Sequence, residues 1–78
     1  MAELKAIERQ MSNNVTEYKS KKSNSTYTVS MQGDRAYVGV TGEAATNGKV
    51  IAEINRIRRG GCDRATAEWT ARMLANTY

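Results

Sequence analysis

The sequence predicts an α+β fold: an N-terminal helix, an antiparallel two- or three-stranded meander with a hairpin at Gly33-Asp34, and two C-terminal helices. Three observations predict it. Leu4, Ile7 and Met11 recur at spacings of three and four, a helical period. Residues 25–32 and 35–41 alternate apolar and polar side chains about Gly33-Asp34, the period of strands with one buried face. Val50, Ile51, Ile54 and Ile57 return to helical spacing, and Gly60-Gly61 separates them from a further helical stretch.

Taken in order, residues 2–11 read as the first helix. Ser12, Asn13 and Asn14 compete for backbone hydrogen bonds, so that helix either ends there or continues through Val15 and Tyr18. The alternative for residues 15–20 is a strand, because Val, Thr and Tyr suit a pleated, half-buried surface. Gly33-Asp34 fits a two-residue type II′ turn, with glycine supplying the positive φ. Pairing Gln32 with Arg35 then sets Met31 opposite Ala36, Val29 opposite Val38 and Tyr27 opposite Val40, which places every apolar residue on one face and sends Thr28, Ser30 and Tyr37 to the other. If residues 15–20 form a third strand, Tyr18 falls opposite Tyr27 and Thr16 opposite Val29. Thr46 or Asn47 caps the next helix, Asp63 caps the last, and Trp69, Met73 and Leu74 form the expected buried stripe of the last.

A chain of 78 residues is the size of one domain with one thin core. One cysteine excludes an internal disulfide, and the absence of histidine excludes the usual structural zinc sets. No metal or cofactor is expected, and a homodimer is expected as the remaining source of support. The lone thiol and the charges scattered through residues 1–10 predict an intracellular, cytoplasmic protein without a signal peptide. No run approaches the roughly 18 apolar residues of a membrane span, so no membrane is expected as partner.

Without histidine the commonest general base is missing, and the eight acidic residues form no carboxylate pair or metal-binding loop. Cys62 precedes a helix start but has no evident base, so it reads as structural. The expectation is a protein that is not an enzyme.

The net charge of +4 points to acidic protein surfaces or nucleic acid. Three features are candidates for that contact. Arg58, Arg59 and Arg64 flank the Gly60-Gly61 turn, where backbone N–H groups at a helix start favour an anion. Lys19, Lys21 and Lys22 form a second cluster, which equally suits a solvated loop. Arg35 and Tyr37 share the outward face of the hairpin, a pair suited to a base or a partner side chain.

The order helix, three strands, helix is similar in topology to a double-stranded-RNA-binding domain, whose basic helix after the third strand touches phosphates. Only Gly48-Lys49 matches that family's helix start; Val50 and Ile51 follow where basic and small residues belong, so the family's function is not carried over. In size and lack of catalytic residues the chain resembles the small accessory proteins of phages and mobile elements, anti-CRISPR inhibitors among them. That likeness implies an inhibitor occupying an acidic surface of a protein or nucleoprotein complex in an infected bacterial host; the alternative is a small basic nucleic-acid-binding module.

Overall fold

The computed structural model describes residues 7–12, 14–58 and 60–78, with the backbone alone for residues 7–12 and Arg58. Four antiparallel strands, β1 (Ile7–Ser12), β2 (Val15–Lys19), β3 (Ser25–Gln32) and β4 (Arg35–Gly42), form one sheet in sequential order. A short 3-10 helix (Glu43–Thr46) leads to helix α1 (Gly48–Arg58) and then to helix α2 (Arg64–Thr77).

The expected N-terminal helix is corrected: Ile7–Ser12 is an edge strand, paired with β2 from Ile7↔Lys19 to Ser12↔Val15 with an irregularity between Gln10 and Ser12. Residues 2–6 of that expected helix lie outside the described residues. In the sequence, apolar residues four apart such as Ile7 and Met11 suit the period of a helix and equally that of a strand, and the backbone pairing with β2 decides between them. The topological likeness to a double-stranded-RNA-binding domain ends with this strand. Residues 15–19 are β2, with Tyr18 opposite Tyr27 and Thr16 opposite Val29.

The hairpin of β3 and β4 has an unbroken register from Gln32↔Arg35 to Ser25↔Gly42. Gly33 takes φ 67° and Asp34 does not have a positive φ, the combination of a type II′ turn. Tyr27, Val29, Ala36 and Val38 are buried on one face, Met31 and Val40 pack at its margin, and Thr28, Ser30 and Tyr37 alternate onto the other face. At the end of β4, Gly42 has φ 92°, and a Cβ there would overlap the Asn24 carbonyl oxygen. Glycine therefore lets the chain cross the start of β3 closely, where the Ser25 hydroxyl accepts from Ala44 N–H at 2.8 Å.

Helix α1 is capped by Asn47, whose side-chain oxygen accepts from Lys49 N–H at 2.9 Å. Val50 and Ile54 enter the core. Helix α2 is capped by Asp63, which accepts from Thr66 N–H at 3.2 Å. Its buried face is Ala67, Thr70, Ala71, Leu74 and Ala75.

Here the expected stripe is corrected, since Trp69 is 59% exposed and Met73 only partly buried. Alanines at every fourth position bring the helix backbone close to the sheet, and the bulk that fills the layer comes from Tyr18 and Tyr27, both fully buried. Replacing Ala71 with leucine is therefore expected to cost about 1–3 kcal/mol through overpacking. Trp69→Ala is expected to change stability by less than about 0.5 kcal/mol, and urea unfolding of the two variants checks the contrast.

Candidate binding surfaces

The Gly60-Gly61 turn is built for packing. Both glycines have positive φ, 73° and 72°, and a Cβ on Gly61 would lie 3.0 Å from both Arg35 Cβ and Tyr37 Cζ. This close approach lets Cys62 pair with the edge of β4: Ala36 N–H donates to the Cys62 carbonyl at 2.7 Å, and Cys62 N–H donates to the Ala36 carbonyl at 3.0 Å. Two of the groups an anion would use are thus engaged, Cys62 N–H by Ala36 and Thr66 N–H by the Asp63 carboxylate. Hydrogen bonds from Thr66 hold the Asp63 carboxyl below its usual range.

Of the three arginines predicted here, Arg59 and the side chain of Arg58 lie outside the described residues. Arg64 is exposed, and its Nε donates to Glu68 Oε2 at 3.0 Å, one turn along α2.

Lys19, Lys21 and Lys22 are exposed around the β2–β3 turn, which the Ser20 hydroxyl organises by accepting from Lys22 N–H at 3.0 Å and Ser23 N–H at 3.2 Å. Lys19 pairs across from Thr26, whereas Arg35 pairs across from Gln32. That separation along β3 is roughly 20 Å, so the lysine cluster and the Arg35-Tyr37 pair belong to opposite ends of the sheet.

Two surfaces that the sequence reading did not assemble emerge. On α2, Trp69 occupies the side of the helix opposite the alanine face, with Ala65, Arg72 and Asn76 at helical spacing beside it. Arg72 reaches over the Tyr18 ring, 5.7 Å from its centroid, which ties the ridge to the core. On the far side of the sheet, a groove of about 530 Å³ runs between the outward face of β3 and β4 and the flank of α1. Its floor is Thr28, Ser30, Tyr37 and Gly39; Ile51, 38% exposed, and Asn55 form the helical wall. The alternation of β4 signals Tyr37, but nothing local to α1 says that Ile51 faces a groove instead of the core.

Among the described residues, no group of three His, Cys, Asp or Glu side chains converges to hold a metal. No helix among them is long and apolar enough to cross a membrane. Comparison of the chain with protein-family models, curated proteins and solved structures finds no match.

The Cys62 thiol is pushed above its usual range by burial and by the neighbouring Asp63 carboxylate, with Arg35 opposing. A raised pKa means less thiolate at neutral pH and a slow nucleophile. Alkylation of folded protein by iodoacetamide is expected to show its half-maximal rate at higher pH than alkylation of the urea-unfolded chain. Asp63→Asn is expected to move that midpoint down and Arg35→Gln to move it up.

Proposed function

We propose that this chain is a non-enzymatic binding protein that occupies an acidic surface of a host protein or nucleoprotein complex, an anti-CRISPR-like inhibitor of the kind that phages and mobile elements deploy in the bacterial cytoplasm. The observation that carries the reading is the exposed Trp69 beside Arg72 on the outer side of α2. Tryptophan and arginine dominate the energetics of protein interfaces because they combine a large contact area with directed polar groups. The buried face of α2 is complete without Trp69, so packing gives no reason for an indole at this position. The net charge of +4 supplies the complement to an acidic partner and speeds encounter with it.

A second reading, a small basic nucleic-acid-binding module, is favoured by the β2–β3 turn. Lys19, Lys21 and Lys22 are all exposed there, and none is ion-paired with a described residue.

The two readings separate by retention of bacterial proteins on the immobilised chain, with and without nuclease treatment and across a salt series. The first expects a protein retained after nuclease treatment and at high salt. The isolated complex is then expected to weaken by about 2 kcal/mol or more with Trp69→Ala or Arg72→Ala, while far-UV circular dichroism stays unchanged. Equal binding by both variants sinks the α2 ridge as the interface. Retention abolished by nuclease and falling steeply with salt transfers the function to the lysine turn.

A further inference from the structure

The groove on the outward face of the sheet contains a glycine that the fold has no use for. Gly39 sits in the middle of β4, opposite Thr28, within an unbroken run of paired residues. Its φ is not positive, and a Cβ built on it would meet nothing within 4 Å. It differs in this from Gly42, which a close backbone approach requires, and from Gly33, which a turn requires. A strand-interior glycine weakens a sheet, and where no bulge or tight bend explains it, the space it leaves suits the close approach of another group.

That space has defined walls. Tyr37 is the next residue on the same face of β4, its ring close to Gly61, and Ile51 lines the same groove from α1. Thr28, Ser30, Gln32 and Asn55 line the groove with neutral hydroxyl and amide groups, able both to donate and to accept hydrogen bonds. An aromatic side chain, an aliphatic side chain and an open backbone floor favour a flat ring, and the neutral polar groups favour one with donors and acceptors on its edge.

Charge is arranged asymmetrically around this floor. Among the described residues, none that lines the groove is charged. Arg35 follows Tyr37 on the same face, is exposed, and makes no ion pair with a described residue. On the other side the Glu17 carboxylate lies on the same face, one strand beyond Thr28. A negative group attached to the ring is therefore drawn toward Arg35 and away from β2.

We infer that the groove binds a nucleotide, its base lying over Gly39 between Tyr37 and Ile51 and its phosphate turned toward Arg35. This goes beyond the proposed protein contact and uses no residue of the α2 ridge, so either can fail without the other. The same chemistry is offered by a free mononucleotide and by a nucleotide within a single strand.

The test is amide and ring-proton NMR of the full chain titrated with the four nucleoside monophosphates, with short single-stranded DNA and RNA, and with inorganic phosphate. The expected result is a base-dependent shift at Gly39, Thr28 and the Tyr37 ring, absent with inorganic phosphate. Tighter binding of the oligonucleotide than of the monophosphate assigns the site to a strand, and equal binding assigns it to the free nucleotide. Gly39→Val is expected to raise Tm by about 4 °C while weakening binding about tenfold or more. Arg35→Gln is expected to weaken monophosphate binding about three- to tenfold and leave the unphosphorylated nucleoside unaffected. Ile51→Ser, at an exposed wall position, is expected to weaken both. The inference is overturned by the absence of any nucleotide-induced shift at Gly39, by undiminished binding to Gly39→Val, or by an equal shift with inorganic phosphate. A fall in Tm on Gly39→Val also overturns it, since the glycine would then serve the fold.

Discussion

Everything in this small protein rests on how closely α2 approaches the sheet. Ala67, Ala71 and Ala75 present almost no side-chain bulk, and the fully buried rings of Tyr18 and Tyr27 rise from the sheet to fill the layer. The arrangement is economical for a short chain, because two large side chains supply much of the buried area while the helix loses little rotamer entropy. It also has a cost. The Tyr27 hydroxyl is buried without a hydrogen-bond partner among the described residues, and burial, aided by the nearby Tyr78, raises its pKa. Because alanines, Thr70 and Leu74 complete the contact side of α2, the indole on the opposite side is left for solvent, and Trp69 becomes a surface feature.

The same inversion explains what could and could not be read from the sequence. A search for large apolar residues at helical spacing finds Trp69 and Met73 and passes over alanines, whose burial is dictated by tyrosines some forty or more residues earlier in the chain. The hairpin was legible because its information is local: strict alternation, a turn of fixed length and a register that only one pairing satisfies. The caps at Asn47 and Asp63 were legible for the same reason. The segment Ile7–Ser12 was misread because its apolar positions fit two periods at once, and its pairing with β2 carries no local signature beyond the short Asn13-Asn14 connection. The groove was half legible. Tyr37 and Arg35 followed from strand alternation, while Ile51 and Asn55 join them only through the path of α1 along β4.

Glycine positions carry a comparable lesson, since the residue type is identical and the physical demand differs. Gly42 and Gly61 exist because neighbouring chain approaches too closely for a Cβ, and each fixes a junction: the exit from β4 and the docking of Cys62 beside Ala36. The Gly60-Gly61 pair, where the sequence predicts an anion site, also has a packing role, since its positive φ values accompany the pairing of Cys62 with Ala36. At Gly39 neither backbone conformation nor crowding makes a demand. The three-dimensional surroundings alone separate these cases, and the inconspicuous Gly39 is the one that borders open space in the groove.

The charges follow a different logic from the contacts. Lys19, Lys21 and Lys22 occupy one end of the sheet, Arg35 the other, and Arg64 and Arg72 belong to α2. These six cations are spread over separate parts of the surface, and charge distributed in this way acts chiefly on the rate and generality of encounter with acidic partners. Specificity must then come from the places where shape and charge coincide. The α2 ridge joins an exposed indole to a guanidinium already oriented by the Tyr18 ring, and the groove joins an unfilled floor to the exposed Arg35 beyond its end. These lie on opposite layers of the molecule, separated by the sheet itself. A protein with one thin core has few positions that can change without unfolding it, and both surfaces draw on positions that the core does not use: the outer side of α2 and the outward face of β4. The layer that holds the fold together is thereby the layer that keeps the two surfaces independent.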